Sequence, residues 1–281
     1  MNGKRHFTAL QWLIIINVTV FVVARLAMVV AMLTGGERQV ADVIDLMLAM
    51  PMAPDELVLR LWTLLSHMFA HIDLWHIIIN MLWLWWMGNL FMEFFSGRQL
   101  VALYLLGGVA GAAAAILFFL AFRHLSGPAL LIGASGAVTA IMLGITAYRP
   151  TYRVNLFLIG TVQLKWVAIV IVAIDFLCLG SNTGGHIAHL GGAATGLAFG
   201  YLVTRGTDIT RLPTAPLDLW TAWRAKSLNQ TTKDEQRKTN SAPSEREVDE
   251  VLVKVRRSGY DSLTAAERDL LARASRDGYH N

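Results

Sequence analysis

The sequence predicts an all-α membrane protein: a bundle of six transmembrane helices followed by a small C-terminal helical hairpin. Three observations carry this. Of the 281 residues, 55% are hydrophobic and only 16% charged, with a mean hydropathy of +0.49, whereas a soluble domain carries roughly 25% charged residues. The charges are segregated, residues 1–204 holding 18 of the 44 Asp, Glu, Lys and Arg and residues 205–281 the other 26. Six apolar runs approach the length of about 20 residues that a helix needs to cross a bilayer.

The first run, residues 9–33, follows Lys4 and Arg5. It is too long for a signal-peptide core and has no small-residue cleavage site after it, so it reads as an uncleaved span. The loop at about 35–70 sets Glu37, Asp42, Asp45, Asp55 and Glu56 against Arg38 and Arg60, and is long enough to hold short helices. Further runs lie at about 74–95, 99–122, 132–148, 163–180 and 186–204. Arg98, then Arg149, Arg153 and Lys165, and finally the tail fall on the same side as Lys4 and Arg5, which puts both termini in the cytoplasm by the positive-inside rule. Residues 1–204 thus form the membrane domain and 205–244 a juxtamembrane segment and polar linker. In that segment Leu217, Trp220 and Trp223 beside Arg224 and Lys226 predict an amphipathic turn on the membrane surface. Residues 245–281 form the hairpin: Val248, Val251, Leu252 and Val255 recur at helical spacing, Gly259 ends that helix, and Thr264 with Glu267 caps the next. The tail balances 14 basic against 12 acidic residues, which argues against a nucleic-acid partner. The single cysteine, Cys178, excludes an intrachain disulfide.

Spans two, four and six all enter from the non-cytoplasmic side, and each carries polar residues near its start. His76 and Asn80 lie early in span two, Ser135 early in span four and His189 early in span six, so at about 1.5 Å rise per residue all four fall in the outer third of the bilayer. Polar groups facing lipid are costly, so this clustering predicts a wet pocket opening outward. Gly192, Gly196 and Gly200 on span six match Gly136, Ala140 and Gly144 on span four, two stripes that can pack backbone to backbone. That packing brings Ser135 toward His189, a nucleophile beside a base. Gly133 and Gly136 free the backbone around the serine, whose place at a helix N-terminus leaves amide N–H groups for an oxyanion. His76 and Asn80, four residues apart, share a helix face and can both donate to it.

With these motifs, His71, His76 and Asn80, Gly133-Ala134-Ser135-Gly136, and Ala188-His189 followed by Gly192 and Gly196, the chain resembles the rhomboid intramembrane serine proteases. The resemblance implies a Ser135–His189 dyad with no required acid, and oxyanion donors from His76, Asn80 and the Ser135 backbone N–H. It implies cleavage of transmembrane protein substrates within the lipid bilayer, near their outer end, with no metal or organic cofactor. Arg60 before Leu61-Trp62-Thr63 looks like the arginine that organises the family's first loop, and Glu93 followed by Gly97 like the end of its second span. The tail is similar to a cytosolic extension on some bacterial rhomboids, which implies a multi-pass protein of a bacterial inner membrane. Two positions depart from the pattern: Thr139 stands where some rhomboids have a tyrosine that stacks on the histidine, and Leu59 where a tryptophan is frequent.

Other polar residues have plainer readings. His67 and His71 lack the glutamate of a metalloprotease arrangement and are expected to make structural hydrogen bonds. His186 reads as a pocket-rim or loop residue, with tuning of the site as its second reading. Asp175, an intramembrane carboxylate, reads first as structural, within reach of water or a loop donor, with positioning of His189 as its second reading. Two other classes stay in view. A rhomboid-like protein that binds transmembrane clients without cutting them would lack the serine or the histidine. A transporter would carry polar residues through the bilayer.

Overall fold

In the computed structural model, which describes residues 7–122, 130–156, 159–211 and 244–276, each expected span contains a helix. Helix α1 (Ala9–Thr34) starts at a capping box between Thr8 and Gln11 and ends at Gly35, whose φ of 73° is open to glycine. The first loop folds into α2 (Glu37–Leu48), the two-residue strand β1 (Met50–Pro51), and the short helices α3 (Pro54–Leu57) and α4 (Thr63–Ser66). Asp73 caps α5 (Leu74–Met92), its carboxylate accepting from the His76 N–H at 2.9 Å. A Ser96–Gln99 capping box opens α6 (Gly97–Ala121). Strand β2 (Leu130–Leu131) leads into α7 (Ser135–Tyr148). The antiparallel pair β3 (Arg153–Leu156) and β4 (Gly160–Gln163) then precedes α8 (Leu164–Leu177), and Asn182 caps α9 (Thr183–Thr204).

The six helices are unequal, which the apolar runs did not foretell. By length and composition α1, α6 and α9 can each cross a membrane, while α5 is joined to residues 63–69 at a bend of 92°, the form of a broken span or a re-entrant loop. At 14 residues each, α7 and α8 extend only about 21 Å, short of the roughly 30 Å hydrocarbon layer. For α7 the reason is its setting: it packs against α5, α6, α8 and α9, and every residue from 136 to 146 is buried. Residues 132–134 can therefore leave the helix without exposing backbone to lipid, since irregular backbone at membrane depth is tolerated inside protein. Lipid-like surface is instead carried by α1, where Val22, Val23, Val29 and Val30 are exposed.

Close approach of α9 to its neighbours explains its glycines. A Cβ on Gly192 would overlap the Gly136 carbonyl, one on Gly196 the Ala140 carbonyl, and one on Gly200 the Gly144 carbonyl. On the α6 side a Cβ at Gly111 would stand 2.6 Å from the Ala188 oxygen. The two predicted stripes thus meet backbone to backbone, the usual way that membrane helices gain dispersion contact without a hydrophobic drive. A polar brace ties the first loop to this bundle. The fully buried Tyr104 donates to the Met68 carbonyl at 2.6 Å and accepts from Asn17 Nδ2 at 3.2 Å.

Two units are distinguished, residues 1–215 and 216–281. In the second, α10 (Glu245–Ser258) opens with a Ser244–Glu247 capping box and stops at Gly259, φ 82°. Thr264 and Glu267 then cap α11 (Ala265–Arg276). Val248, Val251, Leu263 and Ala274 are buried, whereas Leu252, expected on the packed face, is 43% exposed. A two-helix hairpin buries only a narrow stripe of each helix, and Leu252 falls beside it. The amphipathic turn expected at 217–223, and the linker up to residue 243, lie outside the described residues.

Candidate functional site

The approach to Ser135 is shaped by the first loop. Strands β1 and β2 pair Met50 with Leu131 and Pro51 with Leu130, and the Gly133 N–H donates to the His67 carbonyl at 2.9 Å. His67 is held in turn by Nδ1, which donates to the Thr63 carbonyl at 2.8 Å. Gly133 has a φ of 136°, a conformation that side chains disfavour. A Cβ there would also lie 2.9 Å from His76 Cε1 and Nε2 and 3.6 Å from Ser135 Oγ. The glycine therefore leaves the space into which the serine hydroxyl and the His76 ring both face.

That space belongs to a cavity of about 490 Å³ lined by Ser135, His189, His76, Asn80 and Asp175. Three helices deliver the first four of these residues: Ser135 opens α7, His76 and Asn80 lie on the first turns of α5, and His189 lies on the second turn of α9. The Ile72 N–H donates to His76 Nδ1 at 3.4 Å, which assigns the ring proton to Nε2, the nitrogen on the Gly133 side. Asn80 spends one amide hydrogen on the His76 carbonyl at 2.9 Å and keeps the other. Among the described residues, Ser135 Oγ and His189 are not hydrogen-bonded to each other.

What holds His189 is Asp175. Its Oδ1 accepts from His189 Nδ1 at 2.7 Å and from His186 Nδ1 at 2.8 Å, while the carboxylate is only 5% exposed. The two imidazoles meet edge to face, 5.7 Å between centroids. The geometry favours the positioning reading of Asp175 over the purely structural one and ties His186, expected at the rim, to the same carboxylate, because the end of α8 lies against the start of α9. It also supplies what Thr139 cannot: Thr139 lines the cavity one turn beyond Ser135 but has no ring to stack on His189. The signal was present in the sequence as an ionisable residue inside an apolar run. His189 was one candidate partner, and only the packing of α8 on α9 selects it across the 14 residues that separate the two. Asp175, His186 and His189 are also a set of possible metal ligands, with one ligand atom from each lying within 4.8 Å of the others.

Other expected residues fall elsewhere. Gly136, Gly192 and Gly196 sit in the α7–α9 contact. His71 packs edge-on against His76, 5.0 Å between centroids, and its ring nitrogens have no hydrogen-bond partner among the described residues, so the structural hydrogen bond expected of it is absent. It sits at the bend before α5. Arg60 lies outside the cavity and pairs with Glu56, while its carbonyl accepts from the Thr63 hydroxyl at 2.6 Å.

An all-helical membrane bundle with these polar residues around one cavity defines a class, and comparison with known proteins names it. The rhomboid domain matches residues 59–206, more than half of the chain, and the protein belongs to the rhomboid family. The chain is 31% identical over 133 residues to the Danio rerio presenilin-associated rhomboid-like protein A, mitochondrial, covering 46% of this chain and 34% of that protein. It is 33% identical over 149 residues to RHOMBOID-like protein 12, mitochondrial, of Arabidopsis thaliana, covering 48% and 44%. With the rhomboid protease GlpG of Klebsiella pneumoniae it shares 28% identity over 159 residues, covering 56% and 53%. The chain thus spans between about a third and about half of the length of these curated relatives. Residues 231–277 match a family of unknown function, DUF6576. The protein is an integral membrane protein, but relatives named from mitochondria as well as from a bacterium do not support the bacterial inner membrane expected above.

Proposed function

We propose that this protein is an intramembrane serine endopeptidase that cuts transmembrane segments of other membrane proteins. The observation that carries the reading is the convergence of Ser135, His189, His76 and Asn80, from three helices, on one cavity. With Asp175 accepting from Nδ1, His189 presents Nε2 as the basic nitrogen. Reaction requires Ser135 Oγ and His189 Nε2 to close to about 2.6–3.2 Å, a contact that free enzymes often leave loose until substrate binds. His189 then takes the hydroxyl proton as Oγ attacks the peptide carbonyl. The oxyanion is received by His76 Nε2–H, the free Asn80 amide hydrogen and the Ser135 N–H, each such donor being worth about 10²–10³ in turnover. His189 passes the proton to the departing amine, and water admitted by the cavity hydrolyses the acyl-enzyme. The loop charges favour both termini on one side and the cavity on the other, so that cleavage falls near the outer end of the substrate helix.

A fluorophosphonate probe in detergent-solubilised full-length protein tests this. Wild type is expected to be labelled and Ser135→Ala to be silent; labelling that persists in Ser135→Ala refutes the assignment.

A further inference from the structure

We propose that Asp175, His186 and His189 form an inhibitory zinc site, in which the metal replaces the two protons shared on Asp175 and takes the base away from Ser135. The inference rests on the serine-protease reading for its consequence, but not for the binding itself. Two imidazoles and one carboxylate bring one ligand atom each within 4.8 Å of one another. Their nearest atoms, Nδ1 of both histidines and Asp175 Oδ1, are 2.7 and 2.8 Å apart across the hydrogen bonds. Around a tetrahedral Zn²⁺ with bonds of about 2.0–2.2 Å, ligand atoms stand roughly 3.3–3.6 Å apart. The two nitrogen–oxygen separations therefore need to open by roughly 0.5–0.9 Å, within side-chain rotation. A second observation points the same way: Asp175 is 5% exposed, and its other oxygen, Oδ2, is buried with no hydrogen-bond partner. A buried carboxylate with an idle oxygen is a group for which a cation is a better neighbour than apolar packing. Two nitrogens and one oxygen favour Zn²⁺ over Mg²⁺ or Ca²⁺, which prefer oxygen alone. Asp175 and His189 line the cavity, which can supply a water as the fourth ligand.

The proton balance gives the effect. A neutral imidazole keeps one N–H, so metal on Nδ1 moves the ring proton to Nε2. For His186 that proton meets Ser181 Oγ, already 3.5 Å from Nε2. For His189 it faces the cavity, where Nε2 can no longer accept the proton of Ser135. The same carboxylate thus serves two exclusive states, one orienting a base and one blocking it.

Zinc binding by full-length wild type, Ser135→Ala and His186→Gln is measured by equilibrium dialysis and by the visible absorption of Co²⁺ in place of zinc. Fluorophosphonate labelling is compared with and without zinc within each protein, and chelator is added to reverse the effect. One zinc bound equally by wild type and Ser135→Ala, and weakened by about 100-fold or more in His186→Gln, is the expected result. Loss of the general base should slow wild-type labelling by about 10²-fold or more at saturating zinc, reversibly, while the ratio in His186→Gln stays near one. Absence of binding, or binding unchanged in His186→Gln, overturns the site. So does activity that rises with zinc and survives Ser135→Ala. If wild type is never labelled yet zinc binds as expected, the site stands and the protease reading is the one that fails.

Discussion

Replacing Gly192 by alanine adds one methyl group at the point where α9 crosses α7, and it reports directly on how His189 is delivered to Ser135. The added carbon would overlap the Gly136 oxygen and stand 2.8 Å from the Gly136 carbonyl carbon and 3.2 Å from its Cα. Carbon atoms in contact prefer about 3.5–4.0 Å, so the helices must part by at least roughly 0.7–1.2 Å at the turn that follows His189, the closer Gly136 oxygen demanding more. All the crowded atoms are backbone, so no side chain can rotate to absorb the methyl. Overpacking of this kind costs about 1–3 kcal/mol, which leaves the fold assembled. Misplacing a reacting group by about 1 Å can cost about 10²-fold in rate. Gly192→Ala is therefore expected to lower the fluorophosphonate labelling rate by about 10- to 100-fold while keeping a cooperative thermal transition at a reduced midpoint. Gly180→Ala, where a Cβ would meet nothing within 4 Å, is the control and should behave as wild type. A wild-type rate and midpoint in Gly192→Ala would refute the claim that this crossing sets the distance between nucleophile and base.

The remaining predictions address other layers. Asp175→Asn removes the charge behind the His189 hydrogen bond, worth about 1.5–3 kcal/mol; labelling should slow by about 10- to 150-fold with the thermal midpoint retained. Rate and midpoint falling together would make Asp175 a structural group only. Tyr104→Phe strands the Met68 carbonyl and Asn17 in a fully buried position and should lower stability by about 1 kcal/mol, read as a lower thermal midpoint; an unchanged midpoint would count against the brace. In the hairpin, Lys254, bonded at 2.7 Å, and the Thr264 amide and hydroxyl hold the Glu267 carboxyl down to about 2, below its ordinary 4.5. A depressed carboxyl stabilises the fold fully above its unfolded value and loses that contribution as pH falls toward 2, so the hairpin should weaken across that acid window and Glu267→Gln should reduce the dependence to what Glu247, also held down by Ser244, contributes. The carbon NMR shift of the Glu267 carboxyl gives the midpoint, and a midpoint near 4.5 would refute the pairing.

Much of the site was legible because its signals are local or periodic. Small residues four apart on two spans announced a backbone contact, and polar residues one or two turns into spans of the same direction had to share a depth. Thr264 with Glu267 marked a helix start through hydrogen bonds three residues long. Legibility ended where the partner lay far along the chain or the environment decided the chemistry. The pairing of Met50 with Leu131 joins segments about eighty residues apart and left no periodic trace.

By itself, then, the sequence determined that this chain is a membrane bundle, which faces of its spans are small enough to touch, and which residues could serve as nucleophile, base and donors. Those properties follow from composition, helical period and side-chain chemistry, all of which are written locally. Only the tertiary structure decided that α7 stops short of a full crossing, that His71 has no hydrogen-bond partner among the described residues, and that Asp175 meets His189. Those outcomes depend on which groups exclude water from one another, and a carboxylate's role changes from solvated anchor to orienting acceptor when two imidazoles take the water's place.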